Sequence, residues 1–160
     1  MAEGLITYAN SENICFIKLT GRICHSLAGG FDWLYNELVA NAELKGVVVD
    51  MTKTPYADST TFGMLAKIAK FHLQRFSVKP MLVCNQTEVK AILDSMDFGQ
   101  VFQIVEEWGS SAPEFSAIPG AAFKPPDARQ IWEAHKLLSE MNARNEASFR
   151  NVVSMLEAEM

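Results

Sequence analysis

Apolar and polar residues follow two different periods along the first two-thirds of the chain. Strand formers at 5–9 and 14–19 flank the turn residues 10–13, which predicts a hairpin. Continuous apolar runs at 45–51 and 79–84 are typical of strands that are covered on both faces. A last strand is predicted within 99–107, and a loop over 51–56 follows the third strand.

A different period, with apolar side chains three and four residues apart, predicts helices over 31–44, 59–76 and 86–96. Strands therefore alternate with helices after the opening hairpin. This order predicts an α/β domain over residues 1–107, with a mixed β-sheet and helices packed on it. Right-handed crossovers would join its parallel strands.

The composition changes after the predicted domain. Residues 108–126 hold four of the six prolines and few periodic apolar residues, so we predict a Pro/Gly/Ser-rich linker. Residues 127–160 predict one long amphipathic C-terminal helix, with Asp127 and Gln130 as a capping box. Three arrangements stay open for this helix: docking on its own domain, self-association or partner binding, and mobility. Asn145 would fix the register of a weak coiled coil.

The charge of the chain narrows the classes of function. A formal net charge of −5 leaves no basic stripe for a general nucleic-acid binder. No apolar run reaches the roughly 18–20 residues of a membrane span. Residues 1–10 also lack the order of a secretory signal. We expect a cytoplasmic protein that binds no nucleic acid and does not span a membrane.

The residues that usually carry catalysis are scattered. The three cysteines have neither metal-ligand nor CxxC spacing, and none of the three histidines has an acid or cysteine partner at ligand spacing. We interpret the histidines as ordinary surface or core-edge residues. Ser59 does not lie in a Gly-x-Ser-x-Gly elbow. The sequence predicts no enzyme, no cofactor and no metal site.

The segment "ADSTT", residues 57–61, has two interpretations. Asp58 is placed to cap the helix that begins at Ser59, and this role alone would explain the segment. The same geometry would let the fold tolerate a phosphate on Ser59, close to free helix amides. A phosphate there would add up to about two negative charges beside Asp58 and repel a docked partner.

The segment "VVVDMTKTPYADSTTFGMLAKI", residues 47–68, resembles the signature of STAS domains, particularly bacterial anti-sigma factor antagonists. In that family a buried strand ending in Asp leads to Asp-Ser-[Ser/Thr]-Gly-Leu-Gly and a helix. Residues 79–107 and the strand ending at Gly21 are also similar to the family. The resemblance covers residues 1 to about 107.

The resemblance implies a partner switch that controls transcription. Ser59 would be phosphorylated by an anti-sigma serine kinase and restored by a PP2C-type phosphatase. The unphosphorylated protein would sequester the anti-sigma factor, or the switch kinase itself. Asp58, Thr60, Thr61 and Phe62 would bind the partner, with the loop around Cys24 beside them.

Two departures from the family pattern affect the predicted partner surface. Thr61 and Phe62 stand where the motif has its first glycine and its leucine, and Cys24 stands where antagonists often carry an acid. The alternative is a STAS scaffold, or an accessory subunit of a transporter or signalling complex, without a phospho-switch.

Overall fold

The computed structural model describes residues 4–109 and 114–160. Its centre is a six-stranded sheet with the strand order β5-β4-β3-β2-β1-β6. The strands are β1 (Leu5–Ser11), β2 (Ile14–Ile23), β3 (Gly46–Ala57), β4 (Met81–Val83), β5 (Gln103–Val105) and β6 (Ser116–Ala117).

Five helices pack on this sheet and on one another. They are α1 (Ala28–Ala40), α2 (Ser59–Phe76), α3 (Thr87–Ser95), α4 (Ala128–Ser139) and α5 (Ala143–Ala158). Short 3₁₀ turns lie at His25–Leu27, Phe98–Gln100 and Gly120–Ala122. The predicted α/β class, a mixed sheet with helices packed on it, is confirmed.

The pairing of the strands is antiparallel at one edge and parallel elsewhere. β1 and β2 form the predicted hairpin, whose two turn residues, Glu12 and Asn13, both have positive φ. Two such residues give the turn that matches the right-handed twist of paired strands. β2, β3, β4 and β5 then run parallel. Helices α1, α2 and α3 connect these parallel strands.

The core lies between the sheet and the helices. Ile17 and Val49 of the sheet and Leu65 of α2 are all completely buried. β2 and β4 flank the first half of β3. In this half Val47 and Val49 point into the core, and Val48 is buried on the other face of the sheet.

The predicted loop at 51–56 is wrong, because these residues form the second half of β3. Pairing with β2 continues as far as Ala57, opposite Ile23. β4 pairs only with residues 48–50, so this second half has a neighbour on one side alone. Pro55 lacks a backbone N–H donor, and it is tolerated there because only one neighbouring strand is available for hydrogen bonds.

The described part of the predicted linker packs on the domain. β6 pairs with β1, with Ala117 opposite Thr7, and Ile118 is buried. The ring of Phe123 lies so close to Gly30 that a Cβ there would be 2.4 Å from it. Residues 110–113 of the predicted linker lie outside the described residues.

The predicted single C-terminal helix is instead an antiparallel helix pair, α4 and α5, here called the α4–α5 hairpin (residues 128–158). The break comes at Asn142, whose extended backbone and side chain cap α5. Asn favours this position because its side chain competes with helical hydrogen bonds. The hairpin docks on its own domain, as one of the three predicted arrangements. Asn145 does not fix a coiled-coil register, since its side-chain amide donates to the Met96 carbonyl at 3.1 Å.

Candidate functional site

Asp58 joins two segments at the carboxyl end of β3. One of its carboxylate oxygens accepts hydrogen bonds from the amide and the hydroxyl of Thr61, both at 2.9 Å. The other oxygen accepts from the backbone amide of His25 at 2.7 Å. The predicted helix cap is therefore confirmed. The same carboxylate also fastens the loop after β2 to the start of α2.

Ser59 is the first residue of α2, and its hydroxyl is held by a histidine from α4. The Oγ atom lies 2.8 Å from Nε2 of His135. The other ring nitrogen, Nδ1, lies 2.7 Å from the Ile131 carbonyl oxygen, which can only accept. In the neutral imidazole Nδ1 therefore carries the proton, and the Ser59 hydroxyl donates to Nε2.

The three residues after Ser59 point into the protein. Thr60 and Thr61 are buried, and Phe62 is only 1% exposed. The Phe62 ring packs edge-on against Phe98, with their centroids 5.7 Å apart. A large apolar side chain at this position therefore fills the core. The predicted role of these residues in partner binding stays a prediction, and little of the three side chains is accessible.

Cys24 lies in the loop that Asp58 fastens. Its neighbour His25 makes the contact with Asp58, and the His25 ring nitrogen Nδ1 is 3.5 Å from the same carboxylate oxygen. The Cys24 sulfur lies 3.1 Å from the hydroxyl of Ser26. Cys24 is therefore beside the Ser59 end of α2, where the sequence predicts its loop. Its role in partner binding stays a prediction.

Helices α2 and α4 approach each other closely at Gly63. A Cβ atom on Gly63 would lie 2.3 Å from the carbonyl oxygen of Ala134 and 2.5 Å from its Cβ. Real side chains do not approach so closely, so only glycine allows this contact. Ala134 is itself fully buried.

Lys67 ties α4 to α2 through charge. Its ammonium group lies 2.7 Å from Glu133 and 3.6 Å from Asp32, and it sits 4.3 Å above the ring of Tyr35. Burial disfavours the charged lysine, but the hydrogen bond and negative charge of Glu133, together with Asp32, raise its pKa above the ordinary value. Lys67 therefore stays charged, as this contact requires.

His135 and Glu133 are site residues that sequence reasoning missed, and Gly63 was recognised only as part of the family motif. His135 is an ordinary histidine by its spacing from other ligands, yet it is 6% exposed and contacts Ser59. A signal was present: it lies beside Ala134 and one turn from Ile131 and Leu138 on the apolar face of the predicted helix. The spacing of apolar residues predicts that this face of the helix is buried, but it does not predict that the face packs on α2.

Three cavities of the described structure, with volumes of 220, 760 and 350 Å³, are lined by residues other than Ser59 and His135. Within 4–109 and 114–160, no group of three or more His, Cys, Asp or Glu side chains is arranged to hold a metal ion. In the same part of the chain, every helix is too short or too polar to cross a lipid bilayer.

The mixed sheet with its packed helices agrees with the comparison to known families. Residues 6–110 match the family model of the STAS domain, which covers more than half of the chain. The chain therefore belongs to the STAS domain family. Domains of this family are generally binding and regulatory modules. No curated protein matches the chain.

Proposed function

We propose that this protein is an anti-sigma factor antagonist, a partner switch whose affinity is controlled by phosphorylation of Ser59. The observation that carries the proposal is the position of Ser59 as first residue of α2, directly after the capping carboxylate of Asp58. The STAS family membership supports a binding role rather than catalysis. In the unphosphorylated form the protein would sequester an anti-sigma factor or the switch kinase.

The start of α2 favours an anion. The first backbone bond within the helix is the one from the Phe62 amide to the Asp58 carbonyl, so the amides of Ser59 and Thr60 come before it. The positive end of the helix dipole acts at the same place. These groups would stabilise a phosphate on Ser59 without a change in the domain fold.

The same phosphate would weaken a docked complex. It carries a charge of about −1.5 to −2 and would stand beside the Asp58 carboxylate. Lys67, two turns along α2, is already paired with Glu133 and cannot neutralise it. A partner seated at Ser59 would face repulsion and a desolvation penalty.

Mass spectrometry of the protein isolated from its native cells tests the proposal. Intact mass and peptide mapping, with and without phosphatase treatment, should place one phosphate on Ser59 under at least one growth condition. The same mapping covers Thr60 and Thr61, so a phosphate there would move the switch to a neighbour. Unmodified residues 57–61 in every condition would refute the phospho-switch.

A second candidate function is a STAS scaffold or accessory subunit without a phospho-switch. The hydrogen bond between Ser59 and His135 favours it, because this bond partly covers the hydroxyl that a kinase would need. Absence of phosphate, together with a transporter or signalling assembly as the co-purifying complex, would support the scaffold over the switch.

A further inference from the structure

The α4–α5 hairpin covers the surface on which the proposed function places the partner. Three consecutive residues of α4, 133–135, contact Lys67, Gly63 and Ser59 respectively. These three positions lie one turn apart along a single face of α2. We call this face, residues 59, 63 and 67 of α2, the Ser59 surface. One helix of the chain's own C-terminal segment therefore occupies it.

The fit of α4 on the Ser59 surface is specific. At the centre, the backbone of Ala134 rests directly on Gly63, with no room for a side chain. On one side His135 accepts a hydrogen bond from Ser59, and on the other Glu133 pairs with Lys67 at 2.7 Å. A small residue, a hydrogen-bond acceptor and a carboxylate meet three complementary positions. These contacts define the chemistry that a helix needs to bind here.

The docked hairpin and a phosphate on Ser59 exclude each other. Oγ and the imidazole Nε2 of His135 are 2.8 Å apart, which is hydrogen-bonding distance. Phosphorylation adds to Oγ a phosphorus atom that carries three further oxygens, and this group does not fit into that gap. The imidazole must move before the hydroxyl can be modified, and with it the turn of α4 that presents it.

The hairpin has contacts of its own that do not involve the Ser59 surface. The indole of Trp132 donates to Glu157 at 3.1 Å, and His135 packs edge-on against Phe149. The capping box at the start of α4 joins Gln130 to Asp127, the residue that precedes the helix, and the Gln130 side chain also donates to Asp32 of α1. Residues 6–110, which match the family domain, end before the hairpin begins. The hairpin is therefore held together by contacts of its own, and its departure from α2 also requires the hydrogen bond from Asn145 to Met96 to break.

We propose that the α4–α5 hairpin is a built-in ligand of the Ser59 surface, so that partner and kinase reach this surface only after the hairpin has moved away. The partner that displaces it presents a helix with the same three features as α4. This inference rests on the proposed function for the identity of the partner, whereas the shielding of Ser59 is tested on the chain alone.

The test places a thiol at the shielded position. The full-length chain carries Ser59→Cys together with Cys24→Ser, which removes the thiol in the nearby loop. Its reaction with 5,5′-dithiobis(2-nitrobenzoate) is followed as release of thionitrobenzoate. The two remaining native thiols, Cys15 and Cys84, are buried in the core and report unfolding of the whole domain.

Two variants should disrupt the contact between Gly63 and Ala134, one by a change in α4 and the other by a change in α2. Each has a matched control. Ala134→Leu overpacks the contact from α4, and Ala147→Leu makes the same change at an exposed position of α5. Gly63→Ala overpacks it from α2, and Gly99→Ala adds the same methyl where nothing lies within 4 Å. Each opening variant should speed labelling at position 59 by about tenfold or more, as expected for an overpacked contact.

The expected result is slow labelling at position 59 in the parent chain and faster labelling in both opening variants. The two controls should label like the parent, and the core thiols should stay unreacted throughout. Labelling of the parent as fast as the opening variants would overturn the proposal. So would equal acceleration at the core thiols, because the hairpin would then leave only when the whole domain unfolds.

The two proposals fail separately. Absence of phosphate on Ser59 in native cells refutes the phospho-switch, but it does not change the labelling rates. Fast labelling of the parent chain refutes the shielding, but it leaves the phosphate mapping as it stands.

Discussion

Replacing Asp58 with alanine removes three hydrogen bonds from the site at once. Two of them reach Thr61 within α2, and the third reaches the amide of His25 in the loop after β2. The first pair is an ordinary helix cap. The third bond joins segments that are 33 residues apart along the chain. Asp58→Ala should therefore destabilise the protein by more than the loss of a cap alone.

The size of the effect follows from the environment of each bond. Loss of the cap should cost about 1 kcal/mol. The Thr61 hydroxyl is buried and loses a charged acceptor, although it keeps the Ile23 carbonyl at 3.4 Å. The His25 amide is exposed, so water replaces most of its bond. Together these terms give a loss of about 2–3 kcal/mol in the free energy of unfolding.

Urea unfolding of full-length variants measures this difference, and Asp127→Ala is the matched control. Asp127 caps α4 with the same bond to the third amide, but it is exposed and joins no second segment. Its loss should reduce stability by about 1 kcal/mol. The account of Asp58 as a link between two segments is refuted if Asp58→Ala destabilises the protein no more than Asp127→Ala does, with unchanged m-values.

Three further predictions concern other parts of the molecule. Burial lowers the pKa of His72, so the unfolded chain binds more protons than the folded chain does. The contribution of His72 to stability is therefore highest above about pH 6.5 and falls as the pH drops through the folded pKa. In urea unfolding between about pH 5 and pH 7, His72→Gln should flatten this dependence. Burial raises the pKa of Cys15 to about 12, so the folded wild-type chain should react with thiol reagents at Cys24 and not at Cys15, whereas urea should make both reactive. Gly30→Ala should push Phe123 off α1 and destabilise the chain by about 1–3 kcal/mol in thermal unfolding, a result contradicted if it matches Gly120→Ala, where nothing lies within 4 Å.

Most helices and strands of the domain could be predicted from the sequence, because the residues that determine each element lie within its own segment. The helix predicted over 59–76 is α2 with the same bounds, since its cap residue and its apolar stripe are both contained in the segment. The error at 51–56 has a different origin. Threonines, a lysine and a proline look like a loop, yet pairing with β2 carries the strand on to Ala57. Such pairing is a tertiary effect that overrides local preference.

Only the α2 part of the candidate site could be predicted from the sequence, and the contribution of α4 could not. Asp58 and Ser59 are adjacent in sequence, so the cap could be predicted from their order. His135 lies 76 residues from Ser59, and no local pattern relates the two. Gly63 was visible only as part of a family motif. Its contact with Ala134 depends on how the hairpin docks, which is decided by the break at Asn142.

The hydrogen bond from Ser59 to His135 changes how variants of the serine are interpreted. Ser59→Ala removes the phosphate acceptor and also releases one contact of the hairpin, worth about 1 kcal/mol, or about fivefold in an equilibrium. His135→Ala removes the hydrogen bond and leaves the acceptor in place. Binding of the protein that co-purifies with the chain from its native cells separates the two effects. If His135→Ala strengthens binding as much as Ser59→Ala does, release of the hairpin accounts for the gain. If only Ser59→Ala strengthens it, the gain comes from the missing phosphate, and the hairpin does not compete with the partner.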